Sequence, residues 1–260
     1  MISVKYQGGL GNVLFQYCFS RMLAEKLGYR LNAKEIHGFP ATQKIVDGVS
    51  YEGFEKTVLS GHNVNLSDFS HEKKSHIFCD GYFQNYDYYK GLMADIKNSW
   101  LVLDEKYQQD KKNVDDVVIH IRRGDYLTTA KTELISFEGY EKIINDYVQG
   151  WRSLYICTDS PEDPFVKKLV QKYGAILYSN QEDTWRKTPI ANPTETTLDD
   201  FSFIMSFNRI VLSVSTFSWW SSVLSDATEI FYPLHGAFNP KSSWKGNLVI
   251  DEPRTIFCEI

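Results

Sequence analysis

Two arginines follow a short apolar segment in the middle of the sequence. Val117–Ile121 is β-branched apart from His120, which predicts a buried strand, and Arg122 and Arg123 come directly after it. In open α/β sheets ligands bind beyond the carboxyl ends of the strands, and a guanidinium group matches two phosphate oxygens at once. The pattern predicts a phosphate-binding strand end that also contains Asp125. The alternative is that the arginines are ordinary surface charges beside a turn.

A glycine-rich turn at residues 7–12 lies between a predicted short strand and a helix predicted at residues 13–27. Backbone N–H groups and the positive end of the helix dipole meet at such a junction, which suits an anion or a polar substrate group. Gly9 and Gly11 would permit close approach of a ligand. Leu14 stands where a dinucleotide-binding fingerprint has its third glycine, which argues against a dinucleotide oxidoreductase. A plain turn and helix cap is the alternative.

Hydroxyl side chains are concentrated at residues 215–222, at the start of another predicted helix and after an apolar strand predicted at residues 209–214. Serine and threonine hydroxyls can donate to an anion together with the backbone N–H groups of a helix N-terminus. This is a second candidate anion-binding corner. The alternative is simple capping of the helix by Ser215 or Thr216.

Aromatic residues crowd around the end of a strand predicted at residues 77–84, just before a helical segment predicted at residues 85–100. Rings with polar tips are good platforms for sugars and bases, whereas packing in the core is the commoner role of such side chains. Both interpretations stay open. The cluster consists of Tyr82, Phe83, Tyr86, Tyr88 and Tyr89.

The bulk composition narrows the class of protein. The 260-residue chain is 43% hydrophobic and 23% charged, as expected of one large or two smaller globular domains. A formal net charge of −5 argues against a nucleic-acid partner. The widely separated cysteines and the spacing of the histidines predict free thiols and no metal site. We see no signal peptide and no membrane-spanning run, which predicts a cytoplasmic location, free or peripheral at the inner membrane face.

Strands and helices are predicted to alternate in the second half of the chain, after a polar connection at residues 101–116. This alternation implies βαβ units and a parallel sheet. Asp159 or Ser160 is predicted to cap a helix that runs through Gln171. The tail beyond Pro233 is predicted to consist of turns. The other predicted elements are helices at residues 137–149 and 199–208 and strands at residues 151–158, 175–178 and 230–233.

Four stretches of the sequence form a combined signal, and they are Gly8–Asn12 with Phe15–Tyr17, Gly81–Gln84, His120–Tyr126 and Ser215–Trp220. Taken in order, they resemble one family, the family 11 glycosyltransferases, or bacterial α-1,2-fucosyltransferases. The resemblance implies an α/β, GT-B-like fold with two Rossmann-type domains facing a cleft. We expect residues 1–112 to form an acceptor-side domain and residues 113–260 a nucleotide-sugar-binding domain.

The resemblance also implies roles for individual residues. Arg122 would hold the donor diphosphate, with His120 near the guanine or ribose, while Arg123 and Asp125 hold the loop. Asp200 would read guanine N–H groups. Val214 departs from the asparagine frequent in the family, and the segment from Pro189 to Thr197 looks longer than usual. The whole set predicted to contact the donor is Gly9, Gly11, Asn12, His120, Arg122, Arg123, Asp159, Asp200, Thr216, Phe217 and Ser218.

The implied reaction is inverting transfer of L-fucose from GDP-β-L-fucose to a glycan hydroxyl, the 2-OH of a galactoside, with no cofactor and no required metal. We expect the partners to be GDP-fucose and a galactose-containing acceptor, which would bind the N-terminal half. Arg122, Asp125 and Asn12 are the predicted catalytic residues. Glu133 and Asp159 stay open as alternatives to Asp125 as general base. A transferase for another GDP-sugar and a non-catalytic sugar- or nucleotide-binding protein are the alternative functions.

Overall fold

The computed structural model describes residues 1–43, 47–49, 55–66, 76–178 and 192–260. Two compact units are present in it. The first consists mainly of Met1–Glu105, with Lys245–Leu248 added, and the second contains most of the chain from Lys106 to Ile260. The domain boundary after residue 112 stays a prediction. Within the described parts of the chain, no helix has both the length and the apolar character needed to cross a bilayer.

The first unit is built on a parallel sheet with the strand order β2-β1-β4-β3. Ile2 pairs with Leu31 on one side and with Ile77 on the other, so β1 occupies the middle of the sheet. The long helix α1 follows β1. The elements are β1 (Ile2–Val4), α1 (Leu10–Leu27), β2 (Leu31–Asn32), β3 (Lys56–Leu59) and β4 (His76–Cys79).

Helix α1 departs from its prediction in two ways. It begins at Leu10 instead of Val13, because Gly9 is its N-cap, so Gly11 and Asn12 lie inside its first turn. It is also buried on most of its surface, not on one face. Gln16 is fully buried and holds both the N–H and the carbonyl of Gln7, at 2.9 and 3.1 Å, which satisfies a polar side chain in an apolar interior. The helix ends at Gly28, whose φ of 63° is left-handed.

The segment after β4 is less regular than predicted. The helix expected at residues 85–100 is broken into short turns, with α2 (Met93–Asp95) leading into a π-helical turn at Ile96–Trp100. Phe83, Tyr86 and Tyr89 are buried, so these three rings belong to the core and cannot serve as sugar platforms. Only the core-packing alternative fits them.

The second unit contains a six-stranded, fully parallel sheet with the order β10-β9-β8-β5-β6-β7. Read from β7, this is the doubly wound order of dinucleotide-binding folds, whose switch point lies between the first and fourth strands. The switch point is therefore between β5 and β8. The strands are β5 (Val117–Ile121), β6 (Leu154–Thr158), β7 (Ile176–Tyr178), β8 (Arg209–Val211), β9 (Glu229–Pro233) and β10 (Thr255–Cys258).

All four helices predicted for the second unit are present in the expected order, although their ends differ, and a short helix at Tyr126–Thr129 was not predicted. The helix after β6 is capped by Asp163, which accepts from the N–H of Phe165 at 2.8 Å, and not by Asp159 or Ser160 as predicted. Strand β10 was missed altogether. The helices are α3 (Tyr126–Thr129), α4 (Phe137–Lys142), α5 (Pro164–Tyr173), α6 (Glu195–Met205) and α7 (Thr216–Leu224).

Arg254, directly before β10, binds the carboxyl end of α7. Its guanidinium donates to the carbonyl oxygens of Val223, Ser225 and Ala227 at 3.0 to 3.3 Å, while its Nε pairs with Glu252 at 2.7 Å. The last carbonyls of a helix lack partners inside the helix and carry partial negative charge, so a cation is favourable there. Arg254 thereby connects the final strand to the helix that begins at the switch point.

Candidate functional site

The predicted site residues of the second unit converge on the carboxyl edge of its sheet. Arg122 directly follows the central strand β5, and Asp159 follows its neighbour β6. Ser213 comes after β8 on the other side of β5, just before helix α7. The chain therefore places its arginine beside the switch point, where open α/β sheets bind their ligands.

Arg122 lies between two aspartates. Its Nη2 is 2.5 Å from Oδ1 of Asp125, and its Nη1 is 2.7 Å from Oδ2 of Asp159. The three side chains are 20%, 17% and 14% exposed, so solvent screens these charges only in part. The guanidinium is thus fixed by carboxylates, and an incoming anion would have to share it with them.

Arg123 joins the loop after β5 to the loop after β6. Its backbone N–H donates to Oδ1 of Asp159 at 2.9 Å, and its Nε pairs with Asp163 at 2.5 Å. The Arg123 guanidinium also lies 4.2 Å from the centre of the Phe165 ring. Next to it, the N–H of Gly124 donates to Oγ of Ser160 at 3.0 Å. These contacts make the two loops one rigid edge.

Position 124 requires glycine because the carboxylate of Asp159 approaches it closely. A β-carbon at this position would stand 2.5 Å from Oδ2 of Asp159. That carboxylate cannot simply swing away, because Arg122 and the N–H of Arg123 hold it. The glycine in this turn therefore admits the carboxylate that orients Arg122.

His120 bridges the switch point. Its Nδ1 is 2.7 Å from Oγ of Ser213, and its backbone carbonyl accepts from the hydroxyl of Tyr140 at 3.2 Å. Burial, and to a smaller extent the positive charge of Arg122, lower the pKa of His120 to about 3. The imidazole is therefore neutral at physiological pH and acts by hydrogen bonding. Ser213 was not singled out in the sequence.

The start of α7 presents some of its predicted residues and buries others. Ser215 caps the helix by accepting from the N–H of Phe217 at 3.3 Å, which agrees with the capping alternative. Thr216 and Phe217 are partly exposed, and the Phe217 ring lies 5.6 Å from His120 and 5.3 Å from Phe201. Ser218 is fully buried, and its hydroxyl donates to the carbonyls of Ser213 and Ser215 at 3.1 Å. Ser218 therefore holds the helix start and presents no hydroxyl to a ligand in this structure.

Asp200 is carried by helix α6, which packs on α7. It is partly exposed, and its charge acts on Cys157 of β6: burial raises the pKa of that thiol, and the carboxylates of Asp200 and Asp159 raise it further. The charge of Asp200 thus acts near the carboxyl end of β6, where Cys157 lies. All four cysteines are buried free thiols, as predicted.

Glu133 and Tyr126 complete the surroundings of Arg122. Oε2 of Glu133 accepts from the N–H of Ala237 at 2.7 Å, which ties the excursion after β5 to the loop after β9. Burial raises the pKa of Tyr126, and the charges of Asp125, Glu133 and Asp159 add to this while Arg122 opposes it. The Tyr126 ring lies 5.3 Å from the Arg122 guanidinium. Tyr126 therefore forms a wall of the site that the sequence analysis did not assign.

The glycine loop belongs to the first unit and carries Gly9, Gly11 and Asn12. Gly9 has an extended backbone, and a β-carbon there would meet nothing within 4 Å, so the space beside it is open. Oδ1 of Asn12 accepts from Nε2 of Gln84 at 2.7 Å, and its Nδ2 lies where a side chain of Gly8 would stand. The loop thus holds an amide at a helix N-terminus and contains no charge.

Phe83, the residue before Gln84, has an unusual backbone. Its φ is 51°, and within the described residues it is the one non-glycine residue with positive φ. A left-handed conformation costs a residue with a side chain about 1–2 kcal/mol. The ring is fully buried and stacks on Phe19, with 4.0 Å between the centroids and 4° between the planes. Packing therefore holds a backbone that the residue alone would avoid, and sequence reasoning gave no sign of it.

Comparison with known proteins assigns the chain to a family. The model of glycosyl transferase family 11 matches residues 49–233. A search of curated proteins gave no match. Among solved structures, the chain resembles the fucosyltransferase NodZ from Bradyrhizobium, with 11% identity, coverage of 88% of this chain and 94% of that one, and a TM-score of 0.51.

A second similar structure is NodZ α-1,6-fucosyltransferase soaked with GDP-fucose. It has 11% identity, covers 88% of this chain and 93% of its own, and has a TM-score of 0.53. At this identity the likeness speaks for the fold alone. It confirms the predicted α/β, GT-B-like fold class, which agrees with the two parallel sheets.

Proposed function

The chain belongs to glycosyl transferase family 11, and from that premise we propose that it transfers L-fucose from GDP-β-L-fucose to a hydroxyl group of a glycan. The observation that carries the proposal is the guanidinium of Arg122, fixed beside the switch point of a doubly wound sheet. The likeness to a fucosyltransferase soaked with GDP-fucose supports this choice of donor.

In the proposed complex the diphosphate of the donor binds Arg122 and the start of α7. A guanidinium can bind two phosphate oxygens in parallel, and the N-terminus of α7 adds backbone N–H groups and its dipole. Neutral His120, held by Ser213 at 2.7 Å, would hydrogen-bond the ribose or guanine, and Asp200 would accept from guanine N–H groups. Thr216 and Phe217 would line the same pocket.

Catalysis in this proposal rests on electrostatics. The transition state of glycosyl transfer resembles an oxocarbenium ion, while negative charge builds on the departing GDP. A positive group already fixed at the diphosphate stabilises that charge without reorganising during the reaction. Arg122 meets this requirement because Asp125 and Asp159 orient it before the donor arrives.

We propose Asp125 as the general base that takes the proton of the acceptor hydroxyl. Both oxygens of Asp159 are engaged, Oδ1 by the N–H of Arg123 and Oδ2 by Arg122. Glu133 holds the N–H of Ala237. Asp125 contacts Arg122 through Oδ1, and its Oδ2 would be the atom that accepts the proton. Asn12 is proposed as a further catalytic residue.

The acceptor and linkage are part of the proposal as well. We propose inverting transfer to the 2-OH of a galactoside, as the family assignment suggests, although the structural relatives are α-1,6-fucosyltransferases. We further propose that no metal is required and that the enzyme works in the cytoplasm, where its buried free thiols would stay reduced.

The test is a panel of GDP-fucose, GDP-mannose and other GDP-sugars with and without galactosides. We expect GDP release to depend on GDP-fucose and a galactoside together, to survive a chelator, and to give an α-1,2 linkage by NMR of the product. If GDP is released from GDP-mannose and not from GDP-fucose, the proposed donor is wrong. If GDP-sugars bind but no acceptor triggers GDP release, the protein is a binding protein and not an enzyme.

A further inference from the structure

Gln84 lies at a position where three unusual features of the first unit meet. It follows the left-handed residue Phe83, it is 8% exposed, and it donates through Nε2 to Oδ1 of Asn12 at 2.7 Å. A buried side-chain amide with a short bond to another amide fixes the rotation of both groups.

The backbone around Gln84 is held on every side. The carbonyl of Phe83 accepts from the hydroxyl of Tyr89 at 2.7 Å, and the carbonyl of Gln84 accepts from the N–H of Asn247 at 3.0 Å. Gly81 lies so close to the backbone of Gly61 that a β-carbon would stand 2.6 Å from its nitrogen. These contacts fix the backbone so that the Gln84 side chain reaches Asn12, although Phe83 must adopt an unfavourable left-handed conformation.

Asn12 is restricted from its other side by Gly8. The Nδ2 of Asn12 occupies the place that a β-carbon of Gly8 would take, and Gly8 has a φ of 79°. The Asn12 amide is thus held between Gln84 at its oxygen and the Gly8 backbone at its nitrogen. Neither of these two neighbours is charged.

We propose that Gln84 is a positioning residue for the transfer reaction, because it fixes the carboxamide of Asn12 in one orientation at the N-terminus of α1. The inference rests on the proposed function for its kinetic readout. A reacting group that is misplaced by about 1 Å can lose a hundredfold in rate, so a residue that orients Asn12 should affect kcat more than substrate binding.

A double-mutant cycle tests this inference. Gln84→Met keeps the length of the side chain and removes the donor, and we expect it to lower kcat about tenfold with an almost unchanged KM for GDP-fucose. In an Asn12→Ala background, which itself lowers kcat, the same change should have no further effect. Thermal unfolding of each variant checks that it is folded.

The control is Gln109→Met, which removes two donated bonds of a partly buried glutamine in the second unit. It should leave kcat unchanged in both backgrounds. Equal losses from Gln84→Met with and without Asn12 would overturn the inference, because Gln84 would then act independently of Asn12. An unchanged kcat in either Gln84→Met or Asn12→Ala would overturn it too.

A second measurement does not need enzymatic activity. The side-chain amide resonances of Asn12, assigned by their loss in Asn12→Ala, should shift in Gln84→Met and stay in place in Gln109→Met. No shift in Gln84→Met would overturn the inference even for an active enzyme. Failure of wild-type transfer with GDP-fucose would refute the proposed donor, and the resonances would still decide whether Gln84 orients Asn12.

Discussion

The strand end around Arg122 and the glycine loop around Asn12 fix a polar side chain by opposite means. Arg122 is held by the opposing charges of Asp125 and Asp159, at 2.5 and 2.7 Å. Asn12 is held by the neutral amide of Gln84 and by the bare backbone of Gly8. Ion pairs thus orient the Arg122 guanidinium, whereas a neutral hydrogen bond and the backbone of Gly8 orient the Asn12 carboxamide.

This difference determines which changes each region tolerates. Coulomb forces act over several ångströms and survive small displacements, so the strand end should respond mainly to loss of charge. An amide bond depends on distance and angle, so the glycine loop should respond mainly to small steric changes. The predictions below run from the largest effect to the smallest.

Removal of the Arg122 charge should have the largest effect. We expect Arg122→Ala to lower kcat/KM by roughly a hundredfold to a thousandfold, because a fixed positive group at the leaving diphosphate is lost. Arg209→Ala is the matched control, since Arg209 forms a similar ion pair with Glu229 at the start of β8. Steady-state kinetics of the folded proteins measure this effect. Nearly normal transfer by a folded Arg122→Ala enzyme would show that the charge of Arg122 does not determine activity.

Gly124→Ala tests whether shape also matters at the strand end. Its β-carbon would stand 2.5 Å from Oδ2 of Asp159, so the carboxylate must move and take Arg122 with it. We expect a loss of roughly tenfold to a hundredfold in kcat/KM. Gly91→Ala, where a β-carbon meets nothing within 4 Å, should leave activity unchanged. An equally active Gly124→Ala enzyme would mean that the charged network tolerates displacement.

Asp125→Asn tests whether Asp125 mainly orients Arg122 or mainly competes with the donor diphosphate for it. In the proposed complex, Asp125 would share Arg122 with the incoming diphosphate, and the negative charge of Asp125 would repel that anion. We expect the variant to bind GDP roughly threefold to tenfold more tightly by calorimetry. Its kcat should fall if Asp125 is the base. The exposed Asp146→Asn serves as control, and weaker GDP binding in Asp125→Asn would show that orientation of Arg122 outweighs the repulsion.

The smallest expected effect is the pH dependence contributed by His120. Its pKa falls from 6.5 in the unfolded chain to about 3 in the folded one, so the unfolded state takes up a proton first as the pH falls. The stabilising contribution is therefore complete above 6.5 and decreases towards 3. Between about pH 7 and pH 5.5, wild type should lose roughly 1 kcal/mol of unfolding free energy more than His120→Asn. Denaturant titrations at both values measure it, and parallel losses would contradict a buried neutral imidazole.

Local patterns in the sequence predicted the centre of the second unit. Val117–Ile121 forms the predicted strand, since an apolar β-branched run in a parallel sheet is buried on both faces. The serines from Ser215 onwards start a helix as predicted, because their hydroxyls can satisfy its first N–H groups. Both signals act within a few residues, where composition decides the structure.

The missed features depend on partners that are distant in the chain. Gln84 and Asn12 are 72 residues apart, and His120 and Ser213 are 93 apart. Nothing within either local sequence specifies these contacts. Strand β10 was missed because its pairing with β9 is settled by the tertiary structure. Asp163 caps α5 because the side chains of Asp159 and Ser160 already accept hydrogen bonds from the loop after β5.

The contact of Arg254 with α7 has a consequence for the order of assembly. Synthesis proceeds from the N-terminus, so α7 leaves the ribosome before the arginine that binds its last carbonyls. We therefore expect the donor side of the proposed site to form only after Arg254 and β10 have emerged. A nascent chain halted ahead of residue 254 should bind GDP poorly although it already contains Arg122.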